Sequence, residues 1–168
     1  MEIKLLTPTD ASAYWDLRLE ALQQSPEAFA TSYEEAIKRA NPIEQVEKNL
    51  QTVGNYTFGA FHQNKLVGMV TLTQESYLKM KHRANIFAMY VSPQARGLGA
   101  GKALLIEAVN KAKSIEEIEQ INLSVVSTNE KAKNLYSQLG FKVFGVEEKA
   151  LKVANTYYDE NHMALRLK

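Results

Sequence analysis

Residues 89–105 read Met-Tyr-Val-Ser-Pro-Gln-Ala-Arg-Gly-Leu-Gly-Ala-Gly-Lys-Ala-Leu-Leu, an apolar strand pattern that passes through a glycine-rich turn directly into an amphipathic helix. Glycines at positions 97, 99 and 101 leave no Cβ in the way of a ligand, so successive main-chain N–H groups can converge at the positive end of the helix. A diphosphate is the natural occupant of such a turn. Two common phosphate motifs nevertheless fail here. A nucleoside-triphosphatase loop requires a glycine where Arg96 stands and a hydroxyl where Ala103 stands. A dinucleotide fingerprint requires its third glycine where Lys102 stands, and the next strand does not close on an acidic residue in the expected way.

With 168 residues and 45% hydrophobic content, the chain is expected to form a single domain, residues 1–168, around a continuous core. Its 20 basic and 19 acidic residues leave a net charge of +1, so anion recognition has to be local and no general attraction to nucleic acid or an anionic membrane is expected. No apolar run reaches the length of a membrane-spanning helix, and the first residues, Met-Glu-Ile-Lys-Leu-Leu, have a strand pattern without a leader. A cytoplasmic location is expected. The absence of cysteine excludes disulfides, thiolate metal sites and a thiol nucleophile. His62, His82 and His162 are scattered singly, without helical metal-ligand spacing, so no metal is expected.

Periodicity predicts a strand at residues 3–6 and a helix capped by Thr9 or Asp10, with Tyr14, Trp15, Leu17, Leu19, Ala21 and Leu22 as its apolar positions. Pro26 ends that helix. A second helical region follows in two pieces, 32–39 and 42–50, with Asn41 as cap and Pro42 at the first helical position. Residues 56–61 and 66–72 form a hairpin around Gln63-Asn64-Lys65, and the nearly apolar run 84–91 suits a central strand covered on both faces. The helix after the glycine turn should bury Leu104, Leu105, Ala108, Val109 and Ala112. Beyond it come a strand at 121–126, a helix at 129–139 stopped by Gly140, a strand at 141–146 and a final strand or hairpin arm within 151–167. This order gives a mixed α/β fold with helices on both faces of a sheet.

The stretch Arg96-x-x-Gly99-x-Gly101, preceded by Met89-Tyr90-Val91-x-Pro93, resembles the Q/R-x-x-G-x-G/A signature of the GNAT N-acetyltransferases. Asn129-x-x-Ala132-x-x-Leu135-Tyr136-x-x-Leu139-Gly140-Phe141 is similar to that family's second signature, in the proper order. The resemblance implies a mostly antiparallel sheet of about seven strands flanked by about four helices. It implies that the amides of Gly97, Leu98, Gly99, Ala100, Gly101 and Lys102 bind the pyrophosphate of acetyl-CoA. The main chain of Met89, Tyr90 and Val91 would pair with pantetheine, and Asn129 would touch the coenzyme while capping its helix. Arg96 and Lys102 are further phosphate partners.

Without cysteine, the simplest reaction is direct attack of a bound primary amine on the thioester in a ternary complex. The resemblance makes Tyr136 the proton donor to the leaving thiolate. Many relatives carry a glutamate base on the strand that here reads Arg83-Ala84-Asn85-Ile86-Phe87, so the base is left open among Glu34, Glu35, Glu75, His82, Asp159, Glu160 and His162. Acceptor binding is expected around Tyr33-Glu34-Glu35 and Tyr157-Tyr158-Asp159-Glu160, where carboxylates beside aromatic rings suit a cationic amine such as a polyamine, amino sugar or peptide N-terminus. The missing strand carboxylate also suits an alternative, a coenzyme-binding sensor or scaffold that has lost catalysis. Oligomeric state is left open; relatives often form homodimers through their late strands.

Overall fold

The structure is a computed structural model that describes all of residues 1–168. One seven-stranded sheet organises the chain: β1 (Glu2–Leu5), β2 (Asn55–His62), β3 (Lys65–Gln74), β4 (Arg83–Val91), β5 (Gln120–Val126), β6 (Lys142–Val153) and β7 (Thr156–Arg166), in the spatial order β1-β2-β3-β4-β5-β7-β6. Every neighbouring pair is antiparallel except β4 with β5, which are joined by a helical crossover and run parallel. Five α-helices accompany the sheet: α1 (Ala11–Gln24), α2 (Tyr33–Ile37), α3 (Pro42–Gln51), α4 (Ala100–Ser114) and α5 (Glu130–Gln138). The count is one above the about four that the resemblance implies, because the second helical region is two separate helices, as its two predicted pieces anticipate. Asn41 adopts a left-handed conformation (φ 50°) and breaks the chain before Pro42 starts α3. No helix is long and apolar enough to cross a membrane.

The sheet has a different cover on each face. Leu104, Leu105, Ala108 and Ala112 of α4 are buried with Phe58, Ala60, Val70, Leu72, Ala84 and Ile86 in the main core, as the helical spacing predicts. On the opposite face, Leu17 and Ala21 of α1 meet Leu66, Met69 and Tyr90. Another side of α1 packs Ala11, Trp15 and Leu22 against Ala36 of α2 and Val46 of α3. Burial of these α1 side chains on two sides explains why its apolar residues are spread too widely for a single stripe. The turn into α1 is closed by Asp10, whose carboxylate accepts from the Thr7 N–H at 2.8 Å, so the reciprocal partner of Asp10 is Thr7 rather than Thr9.

Two other expectations change. The run 84–91 is covered on one face only along part of its length: Ile86 is buried but Phe87 is 55% exposed, because the α1–α3 layer stands off from this part of the sheet. The late segments do not form a short strand followed by a separate arm. They form one long hairpin, with β6 running through residue 153 and turning at Ala154-Asn155 into β7. A bulge at Glu148, Lys149 and Ala150 hides this continuity in the sequence. Lys149 has φ 54° there, and its N–H donates to Asp159 Oδ1 at 2.8 Å. The first hairpin turns on Gln63 and Asn64 alone, both at positive φ, and Lys65 already belongs to β3.

Tyr90 ties β4 to α1 by donating its hydroxyl to Glu20 Oε1 at 2.9 Å. Burial first, then that hydrogen bond and the charge of Glu20, push its phenol up to about 12, with Arg96 pulling the other way. Burial alone pushes Tyr136 up to about 12. Tyrosines of an unfolded chain titrate near pH 10, so from about pH 10 to 12 the unfolded state releases protons that the native state retains. Stability is therefore expected to fall as pH rises through that window. Urea midpoints at about pH 9 and 11 test this, and Tyr136→Phe is expected to make the fall shallower.

Candidate active site

The parallel pair β4–β5 is in register for only three residues, Arg83 with Gln120, Ala84 with Ile121 and Asn85 with Asn122. Beyond Asn85 each strand keeps its other neighbour. β4 stays on β3 as far as Val91, and β5 stays on β7 as far as Val126. A bulge adds to the separation: Ala88 and Met89 together oppose Val70, and Ala88 takes φ 53°. From Ile86 onward the β5-facing edge of β4 is a row of main-chain groups without a strand partner. Such an edge is a template for pairing with an extended ligand.

This edge leads into the glycine turn. Gly97 and Gly99 both have φ 81°, a region that L-residues avoid, and no atom stands within 4 Å of where a Cβ would project. Around the turn, Arg96 N–H donates to Pro93 and Ala103 N–H to Gly99, but the amides of residues 97–102 between them donate to no main-chain carbonyl. They are the free donors at the N-terminus of α4, with Gly99 as its cap residue. Arg96 is partly committed: its Nε donates to the Val91 carbonyl at 3.1 Å and its guanidinium lies 5.9 Å from the Tyr90 ring centroid. Lys102 is exposed on the first turn of α4. A Cβ on Gly101 would come within 3.3 Å of Met89 Cε and 3.5 Å of Leu135 Cδ2, which sets the turn against the open end of β4 and against α5.

Met89 also faces a cavity of about 1170 Å³ that penetrates between β4 and β5 and under α1 and α3. Tyr136 reaches the same cavity from α5, with Asn129 and Ala132 beside it. Asn129 caps α5, its side chain accepting from the Ala132 N–H at 3.1 Å. The Tyr136 ring meets Phe141 edge-on at 5.9 Å, and desolvation keeps the phenol protonated well above neutral pH.

On the opposite wall, Ser124 Oγ is 2.7 Å from His162 Nδ1, and His162 Nε2 is 3.2 Å from Glu147 Oε1. The β-sheet assembles this chain from three strands: Ser124 and His162 are register partners on β5 and β7, and Glu147 comes from β6. Phe144, at another β6 bulge, stacks on His162 with 6.1 Å between centroids. With Nε2–H donating to Glu147, Nδ1 is left to accept from the Ser124 hydroxyl.

The other expected residues separate into two groups. Tyr158, Glu160 and His162 line the cavity. Tyr33, Glu34 and Glu35 do not: Glu35 is held in the capping box of α2, accepting from Ser32 N–H at 2.9 Å, and that contact keeps its carboxyl below its ordinary pKa. Glu75 accepts from Asn85 Nδ2 at 2.8 Å, while Asp159 secures the β6 bulge, and neither lines the cavity. His82 lies outside it as well. Sequence reasoning missed Ser124, Glu147, Phe87, Phe144 and, on α1, Tyr14 and Arg18. Only the last two left a trace in sequence, a tyrosine and an arginine at i and i+4 within an otherwise apolar helical face.

A family model described as Acetyltransferase (GNAT) family matches residues 16–141. The chain belongs to the GNAT acetyltransferase family. It is similar to the spermidine N(1)-acetyltransferase of Vibrio cholerae, with 29% identity over 101 residues that make up 60% of this chain and 57% of that protein. It is also similar to an N-alpha-acetyltransferase of Sulfurisphaera tokodaii, 33% identical over 82 residues, 49% of this chain and 45% of that one. The chain thus spans about half the length of the curated relatives it matches. Among solved structures, a GNAT-family acetyltransferase from Streptococcus pneumoniae superposes with a TM-score of 0.88 at 20% identity over 99% of both chains. The Salmonella typhimurium protein yncA, solved with its cofactor acetyl-CoA, gives 0.86 at 18% identity over 100% of this chain and 94% of that one. These neighbours share the GNAT fold, mixed and mostly antiparallel, with the present chain.

Because Gly97 and Gly99 hold left-handed backbone in open space, alanine at either brings strain without a clash. Gly97→Ala and Gly99→Ala are each expected to lower the unfolding free energy by about 1 kcal/mol, read from urea denaturation.

Proposed function

We propose that the chain, acting as one domain over residues 1–168, transfers the acetyl group of acetyl-CoA directly to a primary amine. The observation that carries this reading is the free edge of β4, which runs from the cavity into a turn whose six amides, residues 97–102, have no main-chain acceptor. An extended pantetheine arm ending in a diphosphate matches that succession of donors and acceptors. The main chain of Met89, Tyr90 and Val91 would hold the arm, the turn would hold the pyrophosphate, and Arg96, Lys102 and Asn129 would flank it. Bound acetyl-CoA supplies an acetyl group activated as a thioester.

The chain's own residues then have distinct tasks. A β4 amide at the Ala88–Met89 bulge stabilises charge developing on the acetyl oxygen, in the manner of an oxyanion hole. Ser124 passes the amine proton to His162, whose imidazolium Glu147 stabilises. As the new C–N bond forms and the C–S bond breaks, the Tyr136 hydroxyl donates its proton to the departing sulfur. A phenol held near 12 is fully protonated at neutral pH, as a donor must be. His162 thereby fills the place of the base that the fourth strand lacks. The cytoplasm is the compartment that accompanies this reading.

Thiol release from acetyl-CoA over a panel of primary amines tests the proposal. Tyr136→Phe is expected to lower kcat by about 10²-fold or more while heat of acetyl-CoA binding persists, and His162→Gln to lower kcat/KM by a similar factor. Gly99→Ala should weaken coenzyme binding. Binding of acetyl-CoA without thiol release for any amine would instead identify a sensor, and no binding at all would refute both readings.

A further inference from the structure

The α1 side of the cavity has the opposite electrostatic character from the side of His162, which pairs with Glu147. Arg18 of α1 lines it, lying 4.9 Å above the Phe29 ring centroid. No carboxylate approaches Arg18 within 4.0 Å: the ion pairs of the chain are Arg83–Glu75, Lys133–Glu130 and His162–Glu147. Glu27 and Glu160 line the cavity without pairing with it. After burial, the Tyr14 phenol acts on it in its favour, and the one cation that acts against it is Arg39, which lines the cavity too, so Arg18 is desolvated with no anionic partner. Burial pulls its pKa down, yet a guanidinium does not give up its proton near neutral pH.

A cation kept in a partly dry site without a counter-ion is costly unless an anion arrives with the ligand. The surroundings suit that arrival. Tyr14 lies one turn before Arg18 on α1, and Thr71 Oγ1 is 2.8 Å from Thr57 Oγ1. All three hydroxyl residues line the cavity beside Arg18. Burial raises the Tyr14 phenol above its ordinary value, so it remains a donor at neutral pH. A guanidinium stacked on a ring keeps its N–H edges free, and those edges match the two oxygens of a carboxylate.

Resting on the acetyl-transfer reading above, we infer that the acceptor is a compact amine that carries its own oxyanion, an α-amino acid or close analogue, with the anion seated on Arg18 and the Tyr14 and Thr71 hydroxyls. Arg39 draws that anion in from the cavity mouth. The amine end then points across the cavity to Ser124 and His162, so that the two oppositely charged walls orient one zwitterionic molecule. A polyamine suits this cavity poorly. Of the carboxylates that favoured one in the sequence, Glu34, Glu35 and Asp159 lie outside the lining and only Glu160 is on it, and Arg18 would repel every ammonium of such a chain.

The test compares matched acceptors in the thiol-release assay: an α-amino acid, its methyl ester, the amine lacking the carboxyl group, an aminophosphonate and spermidine. The wild type is expected to prefer the acid over its ester by at least about 100-fold in kcat/KM, since a site with a buried charge rejects ligands that leave it unpaired. Arg18→Gln is expected to bring that ratio to within about threefold, mainly through KM, and Arg39→Gln to reduce it by about fivefold, as expected of a charge at the mouth. Arg18→Lys keeps the charge but loses the fork, and should retain an intermediate preference. Preference for the aminophosphonate over the amino acid would make the oxyanion a phosphonate-type group and support the same seat. An ester or spermidine used as well as the acid, or an Arg18→Gln loss equal for both members of a pair, overturns the inference while leaving acetyl transfer standing. Should no acceptor turn over, calorimetry with the amino acids and CoA-saturated protein decides: acid binding that Arg18→Gln abolishes supports the seat, and its absence overturns it. The heat of CoA binding, read in the same titration, reports separately on the acetyl-transfer reading.

Discussion

Everything at the site depends on two parallel strands that pair and then part. β4 and β5 share three register positions and then each follows its antiparallel neighbour, β3 in one case and β7 in the other. Antiparallel pairing is somewhat more favourable per residue than parallel pairing, and the bulge at Ala88 and Met89 adds local twist away from β5. The result is a breach in the middle of a sheet, with main-chain groups left for a partner from outside. An inner strand with an open edge is rare in a closed core, because unpaired amides and carbonyls must otherwise remain in water.

The side chains proposed for catalysis gather around the breach because the elements that border it each bring one. α5 follows β5 and turns Tyr136 toward the gap. The hairpin β6–β7 lies against β5, so that His162 falls opposite Ser124, and the β6 bulges carry Phe144 and Glu147 to the same wall. The α1–α3 layer roofs the remaining side and brings Arg18 and Tyr14. Arg18 and His162 therefore line one cavity, and the free edge of β4 leads from it to the free amides of the glycine turn, in a protein with net charge of only +1.

Legibility in the sequence followed the range of the interactions. The glycine turn, the α4 stripe from Leu104 to Ala112, the first hairpin and the Asn129 cap are all local, and their residues could be read directly. The β6–β7 hairpin was harder: Glu148, Lys149 and Ala150 bulge opposite the single residue Asp159, and the contact that secures them, Asp159 with Lys149, spans ten residues. The acidic pair Glu34 and Glu35 looked like a cation site, but at least Glu35 serves its own helix terminus. Of Ser124, His162 and Glu147 only His162 stood among several candidate bases, and nothing in the sequence joined the three, since their contact depends on the register of three strands.

From the sequence alone came the strand–turn–helix at residues 89–105, the mixed sheet and the family resemblance, with Tyr136 as the candidate that resemblance implies, because backbone conformation at glycine, helical period and short motifs are properties of neighbouring residues. Tertiary structure decided which edge of β4 stays open, which charged residues share a cavity and which are spent on caps and bulges. Those outcomes depend on strand order and register, through which residues such as Arg18 and Thr71, or Glu147 and His162, become neighbours only once the sheet has closed around them.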